Sequence, residues 1–368
     1  MKKIAYVNLA AQWEDERLAL LPIIDKVLAS GQYIGGSYVE EFEEKAASLC
    51  GRKYCVALNS GTDALVLGLA AMGVGRGDEV ITPPNSFVAS TAAIAHLGAK
   101  PVFVDVLPDQ NIDPKLIEAA ISKKTKAIMP VHLTGRMARM GDIKQIADKH
   151  NIPIIEDAAQ AIGSKYEGRP SGNWGKVACF STHPLKNLNA CGDGGFLVTD
   201  DESIASIVRQ MRNHGLVDRN TVGVFGYVSR MDALQAAILT FRLENLADLV
   251  RKRRHNADLY RKTLDLENIF VPIDEDKEFN THHTFVIQVD RRDELRQGLQ
   301  SAGIETSVHY PIPIHLQPAA KRFEIAPGSL PVAEKQANRI LSLPIHQYLT
   351  QDEIVKIATE LNKLNSKI

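Results

Sequence analysis

A mostly parallel α/β sheet flanked by helices, followed by a smaller C-terminal α/β domain, is the fold class this sequence predicts. Three observations predict it. From residue 53 short β-branched runs alternate with helical stretches. The helical stretches carry Asp, Ser or Thr near their starts, where those side chains cap free backbone N–H groups. Finally, 368 residues at 45% hydrophobic content can bury a large core, and a chain of that length ordinarily divides into more than one domain.

In chain order, KYCVAL (53–58), DEVITP (78–83), KPVFVDV (100–106), TKAIMPV (125–131) and IPIIEDA (152–158) are expected strands. Between them TDALVLGLAAMG (62–73), SFVASTAAIAHLG (86–98), DPKLIEAAI (113–121) and GDIKQIADKH (141–150) have helical spacing. KVACFS (176–181) and GFLVTD (195–200) add two strands. The segment from Asp232 to about Leu266 is long, helical and rich in Arg and Leu, and is expected to lead into the second unit. There FVIQVD (285–290) and ETSVHY (305–310) read as strands, and DELRQGLQSAG (293–303) and QDEIVKIATELNKL (351–364) as helices. The expected division is a large domain over 1–245, N-terminal segment included, and a small one over 246–368. HYPIPIHLQP (309–318) is the clearest irregular segment, and no internal repeat is visible.

Lys+Arg 43 against Asp+Glu 44 leaves a formal net charge of -1, so there is no global basic field for nucleic acid or an anionic membrane. The N-terminus MKKIAYVNLAAQWEDER reaches charged residues before building an apolar core, unlike a secretory signal. No apolar run approaches the ~20 residues of a spanning helix. Cys50, Cys55, Cys179 and Cys191 form no CxxC pair and are expected to be reduced, buried thiols of a cytoplasmic protein. His132, His214, His282, His283, His309 and His315 lack metal-ligand spacing, so no metal site is expected.

The chemistry is carried by Lys186, in FSTHPLKNLNACGDGG (180–195), downstream of the strand end PIIEDAAQ (153–160) with Asp157. This pair is what pyridoxal phosphate (PLP) requires. The lysine amine forms a Schiff base with the cofactor aldehyde, and the aspartate keeps the pyridine nitrogen protonated so that the ring accepts electrons. A phosphate site is also present. NSGTDAL (59–65) follows a strand and opens a helix, which puts Ser60, Gly61 and Thr62 where free N–H groups and the helix dipole favour an anion. By itself SGT reads as an ordinary helix cap by Thr62 with a turn glycine. The order phosphate turn, acidic strand end, lysine loop is what gives it weight.

With these residues in place, the chain resembles the DegT/StrS family of PLP-dependent sugar aminotransferases, which has the aspartate aminotransferase fold, PLP fold type I. The likeness runs from SGQYIGGSYVEEFEEKAA (30–47) through SGTDAL, GDEVITPPNSFVAST (77–91), PVHLTG (130–135), EDAAQAIG (156–163), SRMDALQAAIL (229–239) and HYPIPIH (309–315) to LSLPIHQYLTQDEI (341–354). The resemblance implies that Asp157 faces the pyridine nitrogen, that Gln160 lies near the ring oxygen, that Phe87 stacks on the ring, and that Ser181 shares the phosphate with the Ser60 to Thr62 turn. It implies PLP cycling through the pyridoxamine form (PMP), L-glutamate as donor, and a keto sugar, nucleotide-linked and aminated at C3 or C4, as acceptor. It also implies a homodimer with shared active sites.

One departure stands out. The family commonly reads Gly-Tyr-Asn before an Arg-Met pair, and its asparagine reaches the phosphate of the neighbouring subunit. This chain has Gly226, Tyr227 and Val228, so Ser229 or Arg230 is left to supply that contact. Arg230, His183, His309 and Tyr310 are candidates on the substrate side. A sister branch that dehydrates sugars with PMP has histidine in place of the lysine, and Lys186 argues against it. Desulfurases and aldolases of the same fold share the lysine and aspartate but not the spread of motifs. A small phosphorylated ketone as acceptor, or a PLP-binding regulatory sensor without turnover, are the remaining alternatives.

Overall fold

The structure, a computed structural model, describes residues 3–366. Seven strands form the main sheet: β1 (Tyr54–Leu58), β2 (Glu79–Thr82), β3 (Lys100–Phe103), β4 (Thr125–Ile128), β5 (Ile155–Asp157), β6 (Val177–Ser181) and β7 (Gly195–Thr199). β2 pairs in parallel with β3 and β4, and β5 with β6. Parallel bridges Ile128 to Ile154 and Val131 to Asp157 join the two halves. β7 runs antiparallel to both β6 and β1, so β1 points the same way as β2 to β6. The mostly parallel sheet expected from the sequence is what forms, with β7 as the reversed strand.

Period-two alternation sends successive side chains of these strands to opposite cores. Val56, Leu58, Ile155, Val177 and Leu197 pack with Leu65 and Leu69 of the helix Gly61–Ala71. Ala57, Phe180, Phe196 and Val198 face Phe42 and Leu239 on the other side. There Phe180 and Phe196 stack with centroids 4.7 Å apart at 10°. Removing either ring would cost about 3–5 kcal/mol.

The helix Leu9–Ser30 had no counterpart in the sequence reading. Its apolar residues are spread around the cylinder, Leu20 and Val27 buried but Leu18, Leu21 and Leu28 exposed, so no single stripe marks it. Asn8 caps its start by accepting from Ala11 N at 3.0 Å, and Gly31 at φ 67° closes it. The expected Arg- and Leu-rich segment becomes two helices, Ala233–Glu244 and Leu246–Thr263. The second straddles two cores, with Leu246 and Val250 against the sheet side and Ala257 and Tyr260 in the C-terminal core.

In that C-terminal core β8 (Phe285–Gln288) pairs antiparallel with β9 (Ile340–Leu343), covered by the helices Arg292–Ser301 and Gln351–Asn365. The latter opens with a Thr350/Glu353 capping box. Ile4 also packs here. The strand expected over 305–310 does not form. Its backbone is divided between two partners, Glu305 N donating to Ile4 O and Ser307 pairing singly with Ser342, so no ladder extends. Cys50, Cys55 and Cys179 are free and buried as expected, whereas Cys191 is exposed. Among the described residues no helix is long and apolar enough to cross a membrane.

Candidate active site

β1 to β6 all end on one side of the sheet, where open α/β sheets form their binding crevice. A cavity of about 380 Å³ lies there, lined by Ser60, Gly61, Thr62, Phe87, Asp157, Gln160, Ser181, His183, Lys186, His309 and Tyr310 among others. Folding therefore brings together every candidate residue of the sequence except Arg230 and its alternative Ser229, whose Oγ donates to Asn59 Oδ1 at 3.1 Å. That arginine does not line the cavity, and its guanidinium donates to Asn213 Oδ1 at 3.0 Å.

Lys186 sits in a pinned loop. Thr182 N donates to Gly194 O, Lys186 N to His183 O and Ala190 N to Thr182 O, at 2.7 to 2.9 Å. Two asparagines that follow the lysine anchor the loop further: Asn187 Nδ2 donates to Thr281 O at 3.0 Å and Asn189 Nδ2 to Pro184 O at 2.9 Å. Burial lowers the Lys186 pKa to about 8, against an opposing pull from Asp157. A neutral amine is thereby within reach near neutral pH.

Asp157 ends β5 and is only 4% exposed. Burial raises its pKa, partly offset by hydrogen bonds and by the Lys186 cation. Ser90 Oγ donates to its Oδ2 at 2.6 Å, and Ala159 N to Oδ1 at 3.2 Å. Ser90 was not singled out from the sequence. It lies one helical turn after Phe87, a spacing that places both at the start of the helix Val88–His96. Beside Asp157, Glu156 is a structural carboxylate, taking N–H groups from Gly172, Trp174 and Gly175 and pairing with His132 at 3.0 Å.

The phosphate turn depends on two glycines. Ser60 caps the helix Gly61–Ala71, its Oγ accepting from Asp63 N at 3.0 Å and its carbonyl from Ala64 N. The N–H groups of Gly61 and Thr62 are left without helical partners, aimed where the dipole favours an anion. A Cβ on Gly61 would stand 2.7 Å from Ser181 Cβ, and one on Gly195 only 2.4 Å from Gly61 N. Glycine at both positions lets the lysine loop and the turn approach one anion together.

Phe87 is 54% exposed at the mouth, 5.7 Å from the Tyr310 ring. Gln160 Oε1 accepts from Thr134 N at 2.8 Å, and its Nε2 donates to Tyr310 Oη at 3.4 Å. His309 Nδ1 bonds Ser342 Oγ at 2.9 Å, and burial lowers its pKa to about 4. His183 is exposed, its Nδ1 accepting from Leu185 N at 3.3 Å. The sequence reading missed Tyr6, Arg253, His283 and His346, which also line the cavity from distant segments. No local pattern marks them.

These residues fit PLP. The turn offers two free N–H groups for a phosphate, Asp157 a buried carboxylate for a cationic ring nitrogen, Phe87 an aromatic face, and Lys186 an amine that makes no ion pair among the described residues. Comparison with solved structures agrees. Over all of this chain and all of Streptomyces venezuelae DesV, determined by crystallography, the TM-score is 0.97 at 39% identity, and the protein is a PLP-dependent aminotransferase of fold type I. It belongs to the DegT/DnrJ/EryC1/StrS aminotransferase family, which it matches over residues 15–362. It is 43% identical over 339 residues to the UDP-2-acetamido-2-deoxy-3-oxo-D-glucuronate aminotransferase of Pseudomonas aeruginosa, covering 92% of this chain and 94% of that one. It is also 41% identical over 354 residues to a pleiotropic regulatory protein of Geobacillus stearothermophilus, covering 95% of each.

Proposed function

We propose that this chain moves the amino group of L-glutamate to the keto group of a nucleotide-linked sugar, in two half-reactions, as a homodimer in the cytoplasm. The observation that carries the reading is Lys186, held near pKa 8 in the same cavity as the buried Asp157. The relative from P. aeruginosa, named for amination of a nucleotide-linked 3-oxo sugar, supports the acceptor class. Residues 1–245 would form the cofactor-binding unit and 246–368 the smaller one, with Ile4 lending a contact to the latter.

Bound PLP supplies an electron sink conjugated to the substrate nitrogen. Asp157 holds positive charge on the ring nitrogen, because an anion close by stabilises a cation in a low-dielectric site. Ser90 and Ala159 N favour the ionised form of that carboxylate against the burial that raises its pKa, and fix its orientation. Once free, Lys186 Nζ takes the proton from the donor's α-carbon, a role open to it because burial favours its neutral form. In the opposite half-reaction the same Nζ returns a proton to the carbon that bore the keto group. Ser60, Gly61, Thr62 and Ser181 hold the phosphate, Phe87 and Gln160 fix the ring, and His183, His309 and Tyr310 face the substrates.

One short exposed apolar stretch is in keeping with the dimer: Phe225 is 99% exposed, with Tyr227 and Val228 at about half exposure beside it in sequence. A second copy of this chain is the occupant we assign, and it would bring the Val228 to Arg230 segment toward the neighbouring phosphate turn.

The test is product analysis of the holoenzyme with L-glutamate and a panel of nucleotide-linked keto sugars. We expect 2-oxoglutarate and amino sugar in equal amounts and parallel double-reciprocal plots, the signature of an enzyme regenerated between substrates. Glutamate consumption with simple ketone phosphates alone would replace the acceptor. No consumption with any acceptor would favour a sensor, in keeping with the name of the G. stearothermophilus relative.

A further inference from the structure

We infer that His132, which does not line the cavity, is a positioning residue for aminotransfer: its backbone and its ring together lock the register of β5, so that Asp157 and not its neighbour Glu156 faces the cofactor ring. The role rests on the reading above, in which Asp157 serves the ring nitrogen.

Two acids stand side by side at the end of β5, a strand of only three residues, Ile155–Asp157. Successive side chains of a strand point to opposite faces. A slip of one residue would therefore carry Asp157 out of the cavity and bring Glu156 into it. So short a strand has few ladder bonds to oppose that slip.

His132 opposes it twice. Its backbone N–H donates to Asp157 O at 2.9 Å, while Asp157 N donates to Pro130 O at 3.0 Å, so residues 130–132 hold both main-chain groups of Asp157. Its ring then reaches the other acid. Nε2 lies 3.0 Å from Glu156 Oε2, and Nδ1 accepts from Ala138 N at 3.2 Å. With Nδ1 an acceptor, the ring proton sits on Nε2, and that N–H donates to Glu156. The N–H groups of Gly172, Trp174 and Gly175 supply three more bonds at 2.7 to 2.9 Å. Four donors thus converge on a carboxylate with no exposed surface. An aspartate in its place, one methylene shorter, would fall short of them, and donors left buried without an acceptor are costly.

One residue therefore joins the two acids, holding the carbonyl of Asp157 through its backbone and the side chain of Glu156 through its ring. His132 and Glu156 are both fully buried and neither lines the cavity. A purely structural pair would make the same bonds, and differs in leaving the cofactor untouched when it is broken.

The experiment is visible absorption of the holoenzyme, at rest and during conversion by saturating L-glutamate, for His132→Leu and His132→Gln, each also combined with Asp157→Asn. Leucine removes both ring bonds, whereas glutamine keeps one donor and one acceptor. His132→Leu is expected to shift the resting cofactor band and to slow conversion about tenfold, with half-saturation by glutamate changed less than about twofold. His132→Gln should recover most of both. In the Asp157→Asn background His132→Leu should cost less than about twofold more, because residues acting through one group are not additive. A lowered Tm with a wild-type band and rate would overturn the inference, and so would an undiminished tenfold loss in the Asp157→Asn background. Should His132→Leu fail to fold, NMR of nitrogen-15-labelled histidine in the wild type decides. A His132 signal that differs between holoenzyme and cofactor-free protein supports the role, and one indifferent to the cofactor removes it. The resting band needs no donor. If glutamate converts none of the proteins, the aminotransfer reading falls while the band still tests His132; if wild type is converted and His132→Leu matches it, the inference falls and the aminotransfer reading stands.

Discussion

The two ends of the cavity are built from different material. At the sheet end, Asp157 and Ser181 terminate adjacent parallel strands, the Ser60 turn follows a third, and each polar group has local partners that hold it in place. At the other end, Tyr6, Arg253, His283, His309 and His346 come from five separate stretches of chain, and Arg253 carries a charge without a counter-ion. The sheet end is suited to a permanent occupant, since rigid strand ends hold a fixed geometry. The other end is suited to occupants that come and go, because its electrostatics are completed by whatever binds.

If this contrast is right, damage at the sheet end should abolish chemistry, and damage at the far end should alter affinity. Lys186→Ala is expected to produce the largest effect, a loss of at least about 10³-fold in turnover, since it removes the proton carrier itself. Single-turnover assays with glutamate would show it. Asp157→Asn should cost about 10²–10³ in kcat with stable cofactor binding, the scale of one charge lost from a preorganised site. A variant that kept full turnover would break the assignment of Asp157 to the ring nitrogen.

Smaller changes sharpen the comparison. Gly195→Ala forces a Cβ to within 2.4 Å of Gly61 N, and is expected to destabilise the fold by about 1–3 kcal/mol through overpacking. A lowered Tm together with weaker cofactor retention would show that strand pairing and phosphate turn are one unit. Ser90→Ala should lower turnover about tenfold, the worth of one charged hydrogen bond. It should also move the acid limb of the rate profile to higher pH, because losing the Ser90 donor raises the Asp157 pKa further. Val228→Asn, which restores the residue common in the family, should tighten cofactor binding by a few-fold. Equilibrium dialysis of the purified protein would measure it.

How far the site was legible in the sequence follows the same division. The apolar strands YCVAL and VACFS and the run IPIIED announced a sheet buried on both faces, and Ser60, Asp157 and Ser181, at or just beyond their ends, were placed from these strands together with the family resemblance. Lys186 was legible because it lies in the loop just after such a strand. Arg253 was not: it sits on an ordinary basic helix, VRKRRHNADLYRKT, and nothing in that run separates the one buried cation from its exposed neighbours. The 305–310 segment misled for a related reason. Its β-branched composition resembles a strand, but its partners come from residue 4 and residue 342, contacts that only tertiary folding creates. Arg230 belongs to neither end of the cavity within one chain.

The central claim is that Lys186 holds the cofactor and carries the proton. Visible absorption spectra of the purified holoenzyme and of Lys186→Ala, before and after L-glutamate, test it most directly. The account predicts a visible cofactor band in the wild type that disappears with glutamate as the pyridoxamine form accumulates, and no such conversion in the variant. Conversion by Lys186→Ala at the wild-type rate would contradict it, as would a wild-type protein that, supplied with PLP, shows no cofactor band.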